Sequence, residues 1–276
     1  MNMTVGCSLG YEVLSPTANF TINVLVNKDP HQEIRAEQLT CVPEAPREVS
    51  CTAKGNRVVH LEAGAGPFEI RYQAVVDSHQ PSLPEEVKPD LPGRFPLAVL
   101  TYMLPSRYCE SDRFTQIAHE LFGDIVNRAA QVREISRWVD ANLKFVPGST
   151  DSRTSAREVW ESRKGVCRGY SHLNIAFCRA LNIPARFVGC FAAGLKPMDF
   201  HPCHEVFLGG QWYVIDSADH TPPDQIAVIT RGRDAAHAPL TTIFGRVHTG
   251  PVRVSCEAAP PGLSQPAPGD PMSSIK

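Results

Sequence analysis

Among nine cysteines and ten histidines in 276 residues, one thiol stands out by its neighbours. Cys167 lies in Arg163-Lys164-Gly165-Val166-Cys167-Arg168-Gly169-Tyr170, where a Gly-led turn precedes a strongly apolar segment and places the sulfur at a helix N-terminus. At such a position the helix-end N–H groups, the positive end of the dipole and nearby cations favour thiolate over thiol, as a nucleophile requires. The competing reading is a buried structural cysteine. What decides between them is whether a base, and a third group to orient that base, can reach the thiol.

The segment Phe200 to Asp216 can supply both. Gly209-Gly210, between two strand-like runs, signals a two-residue hairpin that pairs Leu208 with Gln211. In that register Cys203 faces Asp216, and alternation puts His201, Cys203 and Glu205 on one face with Trp212, Val214 and Asp216. His201 becomes the diagonal neighbour of Asp216, within reach of an imidazole–carboxylate contact. His204 points to the other face, opposite Ile215, and becomes the base only if the turn is bulged. Asp219 ranks second to Asp216 as the orienting carboxylate, because it lies past the strand, in the run towards Pro222-Pro223.

Other conspicuous residues read as structural. His172 is five residues beyond Cys167 on the same helix, off its face, and reads as a packing or hydrogen-bonding histidine. Trp138 and Trp160 sit at helical spacing and read as core. Glu205 reads as a salt-bridge partner. The set His201, Cys203 and His204 offers zinc-type donors but lacks the paired spacings usual for zinc, so no metal is expected.

These residues need elements to position them. From Asn19 to about Asp77 a period-two pattern rich in Val, Ile and Thr predicts strands at Phe20 to Asn27, Arg57 to Ala63 and Phe68 to Val76. Turn residues such as Gly64-Ala65-Gly66-Pro67 separate them, predicting an antiparallel β-sandwich-like domain over residues 1–80. Pro81, Pro84, Pro89, Pro92, Pro96 and Pro105 mark residues 81–105 as a linker. After a plausible cap at Ser111-Asp112 the period becomes helical: Phe114, Ile117, Ala118 and Leu121 share one face, then Val132, Ile135, Trp138, Val139 and Leu143 another.

A short helix is predicted over Ser155 to Ser162. A central one starts near Cys167, carries Tyr170, Leu173, Ala176, Phe177, Ala180 and Leu181 inward, and stops at Asn182 and Pro184. Strands return at Ala185 to Phe191, Phe200 to Leu208 and Trp212 to Asp216, with another around Val252 to Cys256. Residues 106–257 thus read as an α+β catalytic domain. The Pro-, Gly- and Ser-rich stretch 258–276 is expected to be a disordered tail.

Composition bounds the function. A formal charge of -2 with 20% charged residues, and no Lys/Arg-rich run, argues against nucleic acid. No apolar run approaches the roughly 20 residues of a membrane helix. Met1 to Gly10 lacks a basic region followed by an apolar core, so a cytoplasmic location is expected. The odd cysteine count without repeated CxxC spacing argues against a disulfide framework.

Several segments together resemble a known family. Gly165-Val166-Cys167, the helix Leu173 to Leu181 and Asn182-Ile183-Pro184-Ala185-Arg186 are similar to the nucleophile region of bacterial transglutaminase-like proteins, in the papain-like cysteine enzyme superfamily. Asp199-Phe200-His201, then Glu205 to Gly210 with Trp212-Tyr213, then Asp216, resemble that family's histidine and aspartate strands. Leu104-Pro105-Ser106-Arg107-Tyr108 and Gly232-Arg233-Asp234-Ala235-Ala236 are similar to further stretches of it, and an N-terminal β domain fits as well. The resemblance implies a transglutaminase-like catalytic core with a Cys167, His201 and Asp216 triad. It also implies acyl transfer or hydrolysis at amide bonds of peptides or proteins through a thioester, without a cofactor. An acidic EF-hand loop is missing, so calcium dependence is not carried over from animal relatives.

The chain departs from the family pattern at Pro202 and Cys203, where a small residue and a Trp are usual, and at Gly169, where an acidic residue is common. These departures motivate the alternative of a binding or scaffold protein that keeps the fold with weakened chemistry.

Overall fold

Met3, Val5, Cys7, Leu9, Tyr11 and Val13 are all buried, so the first half of strand β1 (Asn2–Ile22) is apolar on one face. Past an irregularity in register between Val13 and Thr17, the buried set shifts phase to Ala18, Phe20 and Ile22, and the same face stays inward. The computed structural model, which describes residues 1–53, 55–87, 95–218 and 220–258, pairs β1 with an equally long fourth strand. After β2 (Gln32–Val42) and β3 (Arg47–Cys51) comes β4 (Arg57–Ser78), antiparallel to β1, β2 and β3. Its buried residues change phase between Ala63 and Phe68, opposite the irregularity in β1. Gly64-Ala65-Gly66-Pro67, expected to be a turn, therefore lies inside one continuous strand, with Gly66 at φ 115. Residues 23–27, expected to continue a strand, leave the ladder while staying buried.

The helices follow: α1 (Leu97–Leu100), α2 (Thr115–Phe122), α3 (Arg128–Asn142), α4 (Ala156–Ser162) and α5 (Cys167–Ala180). Residues 88–94 of the expected linker lie outside the described residues. The cap expected at Ser111-Asp112 is instead a short 3-10 turn, and α2 starts after Phe114. Asn127 caps α3 by accepting the Ala130 N–H at 3.0 Å, and Ser155 with Glu158 forms a capping box on α4. A two-residue parallel bridge between β5 (Lys144–Phe145) and β6 (Lys164–Gly165) fixes the chain just before α5.

The remaining strands β7 (Ala185–Ala192), β8 (His201–Leu208), β9 (Gln211–Ile215) and β10 (Ile226–Gly232) form an antiparallel sheet in the order β10-β7-β8-β9. Tyr170, Leu173, Ala176 and Phe177 of α5 pack with Ala185, Phe187, Val206 and Leu208 on one face of it. Val188, Cys190, Cys203, Val214 and Val228 form a smaller core on the other. Strand β10 is buried at every position, so it has no polar face and no period-two signal to reveal it in the sequence.

Finally the chain returns to its start. β11 (Thr241–Phe244) and β12 (Val247–Ala258) pair with β1, completing a six-stranded sheet. The strand expected around Val252 to Cys256 is thus present but belongs to the first sheet; Ala258, the first residue of the expected tail, ends β12, and residues 259–276 lie outside the described residues. Among the described residues no helix is long and apolar enough to cross a membrane.

Candidate active site

Cys167 is the first residue of α5 because the turn before it is held on both sides. Arg163 closes α4 in the left-handed conformation, φ 55. Lys144 N–H then donates to Arg163 O at 2.9 Å and Val146 N–H to Gly165 O at 3.0 Å, so the chain can only enter α5 through an extended Val166. The Ser171 hydroxyl of α5 donates to Pro202 O at 3.0 Å, tying the helix to the start of β8, where His201 sits.

The β8–β9 register is the one expected. Leu208 pairs with Gln211 and His204 with Ile215, so the ladder's continuation sets Asp216 opposite Cys203 and diagonal to His201. His201 Nε2 lies 3.0 Å from Asp216 Oδ2, and the side chains of Cys167 and His201 share a hydrogen bond. Asp216 is itself fixed: Oδ1 accepts the Ala218 N–H at 3.0 Å and Oδ2 the Thr221 N–H at 3.0 Å. The first of these is an Asx-type turn, whose signal in the sequence is an Asp at a strand end followed by a polar turn. The two anchoring residues escaped the sequence reading because a backbone donor leaves no side-chain mark.

Burial disfavours the charged form of both partners, and their mutual contact overrides it. The His201 ring is 2% exposed; desolvation alone would lower its pKa, but Cys203, Asp216 and Cys167 around it raise it. Desolvation would raise the Asp216 pKa, but the hydrogen bond and charge of His201, with the two backbone N–H donors, hold it well below the usual carboxylate range. Cys203 is wholly buried, and desolvation keeps its thiol well above its ordinary value.

The residues read as alternatives take other places. His204 is wholly buried across from Ile215 and Phe187, and burial pushes its pKa down to about 4. Neither of its ring nitrogens has a hydrogen-bond partner among the described residues. The zinc-type set with His204 does not form: the donors that gather are His201, Cys203 and Asp216, within 4.8 Å of one another. Asp219 lies outside the described residues. His172 is buried, stacks on Tyr108 with centroids 5.2 Å apart, and accepts the Ala235 N–H at Nε2. Trp138 and Trp160 stack on each other at 5.2 Å in the helical core, with Arg163 over Trp160 at 3.7 Å. Glu205 is the salt-bridge residue expected, held between Arg186 and Arg231. The cation beside Cys167, Arg168, donates to the carbonyls of Asp151 and Thr154.

Gly169 has a packing explanation. A Cβ there would meet Val159 Cγ2 of α4 at 2.9 Å, so the close approach of the two helices leaves no room for an acidic side chain.

A helix-borne thiol facing a histidine and an aspartate on an antiparallel sheet defines a cysteine-enzyme fold, and known proteins give that fold a family. The family model of the transglutaminase-like superfamily matches residues 115–217. A crystal structure from Cytophaga hutchinsonii, provisionally described as a cysteine protease, is 33% identical, with 95% of this chain and 92% of that chain covered and a TM-score of 0.88. The chain belongs to the transglutaminase-like superfamily. An uncharacterised protein of Mycobacterium leprae is 27% identical over 118 residues, which is 40% of this chain and 42% of that protein. The chain thus matches less than half the length of that relative. The periplasmic domain of TgpA from Pseudomonas aeruginosa is 13% identical, with 78% and 76% of the two chains covered and a TM-score of 0.42.

Proposed function

We propose that this protein is a cysteine-dependent acyltransferase or hydrolase acting on amide bonds of peptides or proteins, with Cys167 as nucleophile, His201 as acid and base, and Asp216 as orienting group. The observation that carries the reading is the His201–Asp216 contact at 3.0 Å on a ring whose other partner is Cys167. In this mechanism Cys167 Sγ attacks the amide carbonyl carbon, and the positive end of α5 favours the negative charge that develops on oxygen. His201 gives its proton to the departing amine, leaving a thioester on Cys167. Water or a second amine then attacks the thioester, giving up a proton to His201. Water completes a hydrolysis and an amine a transamidation. Asp216 keeps the ring in one orientation throughout and stabilises its charged form. The expected division into residues 1–80, a linker 81–105 and a catalytic unit 106–257 is carried as part of this proposal with the chemistry assigned to α5 and the four-stranded sheet, and with β11 and β12 counted to the first sheet, where they pair with β1.

The test is a peptide library assayed for both hydrolysis and amine incorporation, alongside labelling by a thiol-directed electrophile. Cys167→Ala should lose turnover and the label at residue 167 while keeping the circular dichroism of the parent. An alanine variant that still turns over would end the assignment.

A further inference from the structure

We propose that His201, Cys203 and Asp216 form a binding site for a thiophilic divalent cation of the zinc–cadmium class, and that filling it silences the triad. The inhibitory half of this proposal rests on the function proposed above; the binding half does not. One nitrogen, one sulfur and one oxygen donor lie within 4.8 Å of one another. That is close to the spacing a tetrahedral ion requires, since bonds of about 2.0–2.3 Å set ligand atoms roughly 3–4 Å apart. The set matches zinc chemistry in kind, with three protein ligands and a fourth position for water or for the neighbouring Cys167 thiolate.

Charge points the same way. Cys203 is 0% exposed, His201 2% and Asp216 9%, so an uncompensated cation would be costly there. A dication bound by one carboxylate, one thiolate and a neutral imidazole brings the cluster to zero net charge. Coordination also pulls a buried thiol into its deprotonated form. The Cys190 thiol supports the arrangement from the adjacent strand, donating to His201 O at 3.0 Å with its sulfur 3.6 Å from that of Cys203. The cation would occupy the imidazole that Cys167 needs as its base. Cys203 therefore has a use that the acyl-transfer mechanism does not give it.

The experiment uses the full chain carrying Cys167→Ala and Cys51→Ser, which removes the candidate nucleophile and the exposed thiol. Titration with Cd²⁺ should show one equivalent bound, with the ultraviolet charge-transfer band of a cadmium–thiolate bond. Adding Cys203→Ser should abolish the band and weaken binding at least tenfold. Asp216→Asn in the same background should weaken binding while the band persists at saturation, which keeps the test decisive if the serine variant misfolds. Absence of a one-equivalent site in the starting background, or the same band and affinity after Cys203→Ser, would overturn the proposal. In the parent protein Zn²⁺ should slow alkylation of Cys167, and Cys203→Ser should raise the concentration needed at least tenfold. Equal sensitivity would assign the metal effect to Cys167 and His201 alone and refute the role of Cys203. Cadmium binding without any peptide turnover would leave this site standing while the proposed function fell.

Discussion

His201 and Asp216 hold each other charged in a setting that would otherwise neutralise both, so each contributes stability in its own pH range. The folded pKa of His201 is raised, so its contribution is complete below its unfolded value of about 6.5 and fades as pH rises above it. The folded pKa of Asp216 is lowered, so its contribution is complete above about 4 and is lost as pH falls further. Asp216→Asn should therefore destabilise most between about pH 4 and 6.5, with the gap in melting temperature closing towards acid and alkali. A gap that stays constant with pH would show that the asparagine costs packing rather than charge. In the acyl-transfer reading, His201→Ala should lower turnover on the order of 10²–10⁴-fold, measured under saturating peptide. Glu205 behaves differently because it serves the sheet. Burial would raise its pKa, but Arg186 and Arg231 bring it down to about 2, so its contribution is present above about 4.3 and is lost as pH falls towards 2. Glu205→Gln removes the carboxylate that Arg186 and Arg231 share, leaving Arg231 with Asp29 alone at 3.0 Å, and should cost about 3 kcal/mol in urea unfolding at pH 7, with the difference from the parent shrinking at acid pH.

Between elements, the decisive spacing is the approach of α4 to α5, which sets the tip of the helix that carries Cys167. At Gly169 two effects oppose each other. Alanine in a helix is favoured over glycine by about 1 kcal/mol, while overpacking a tight contact costs about 1–3 kcal/mol. The 2.9 Å approach to Val159 Cγ2, on a side chain stiff at χ1, lets the second win. Gly169→Ala should destabilise by about 1 kcal/mol, and Val159→Ala should lose less in its presence than alone. Additivity in that double-mutant cycle would place the cost elsewhere. The same scale separates what the sequence could reveal from what it could not. The β8–β9 register was legible because Gly209-Gly210 fixes a short turn, with both glycines at positive φ, and two strands joined by it have little freedom to slip. His201 and Asp216 were located by that register, and Cys167 by its place at the start of an apolar helix. The first half of β1 alternates as cleanly as any strand, yet Gly10 and Pro16 look like breaks; a bulge absorbs the interruption. β10 and the pairing of β12 with β1 were not legible, since a strand buried on both faces has no period and a partner more than 200 residues away leaves no local mark.

For the whole molecule, the same long-range pairing explains how the two sheets act as one body. β10 is an edge of the four-stranded sheet, and an open edge exposes unpaired backbone groups. Here side chains from the first half of the chain cover it. Gln32 accepts the Val228 N–H at 2.9 Å and donates to Val228 O at 2.8 Å, while Asn56 accepts the Arg231 N–H at 2.8 Å and donates to Arg231 O at 2.8 Å. The Ser78 hydroxyl adds a bond to Ile226 O at 2.7 Å. Two amides thus stand where a neighbouring strand would be, and each ties the N-terminal sheet to the sheet that carries His201. Stranding a buried backbone group costs about 1–3 kcal/mol, so Gln32→Ala and Asn56→Ala should each lower stability by at least that much. Cooperativity should suffer too. Trp138, Trp160 and Trp212 all lie beyond residue 130, so their fluorescence follows the helices and the four-stranded sheet, whereas far-ultraviolet circular dichroism also weighs the six-stranded one. In the parent chain the two probes should give coincident urea transitions. In the Gln32→Ala, Asn56→Ala double variant they should separate, with the edge of β10 opened to self-association. Coincident curves in the double variant would mean that the remaining contacts, among them Ser78 to Ile226 O and the Arg231–Asp29 ion pair, suffice to couple the sheets, and that the amide seam protects an edge without joining two bodies.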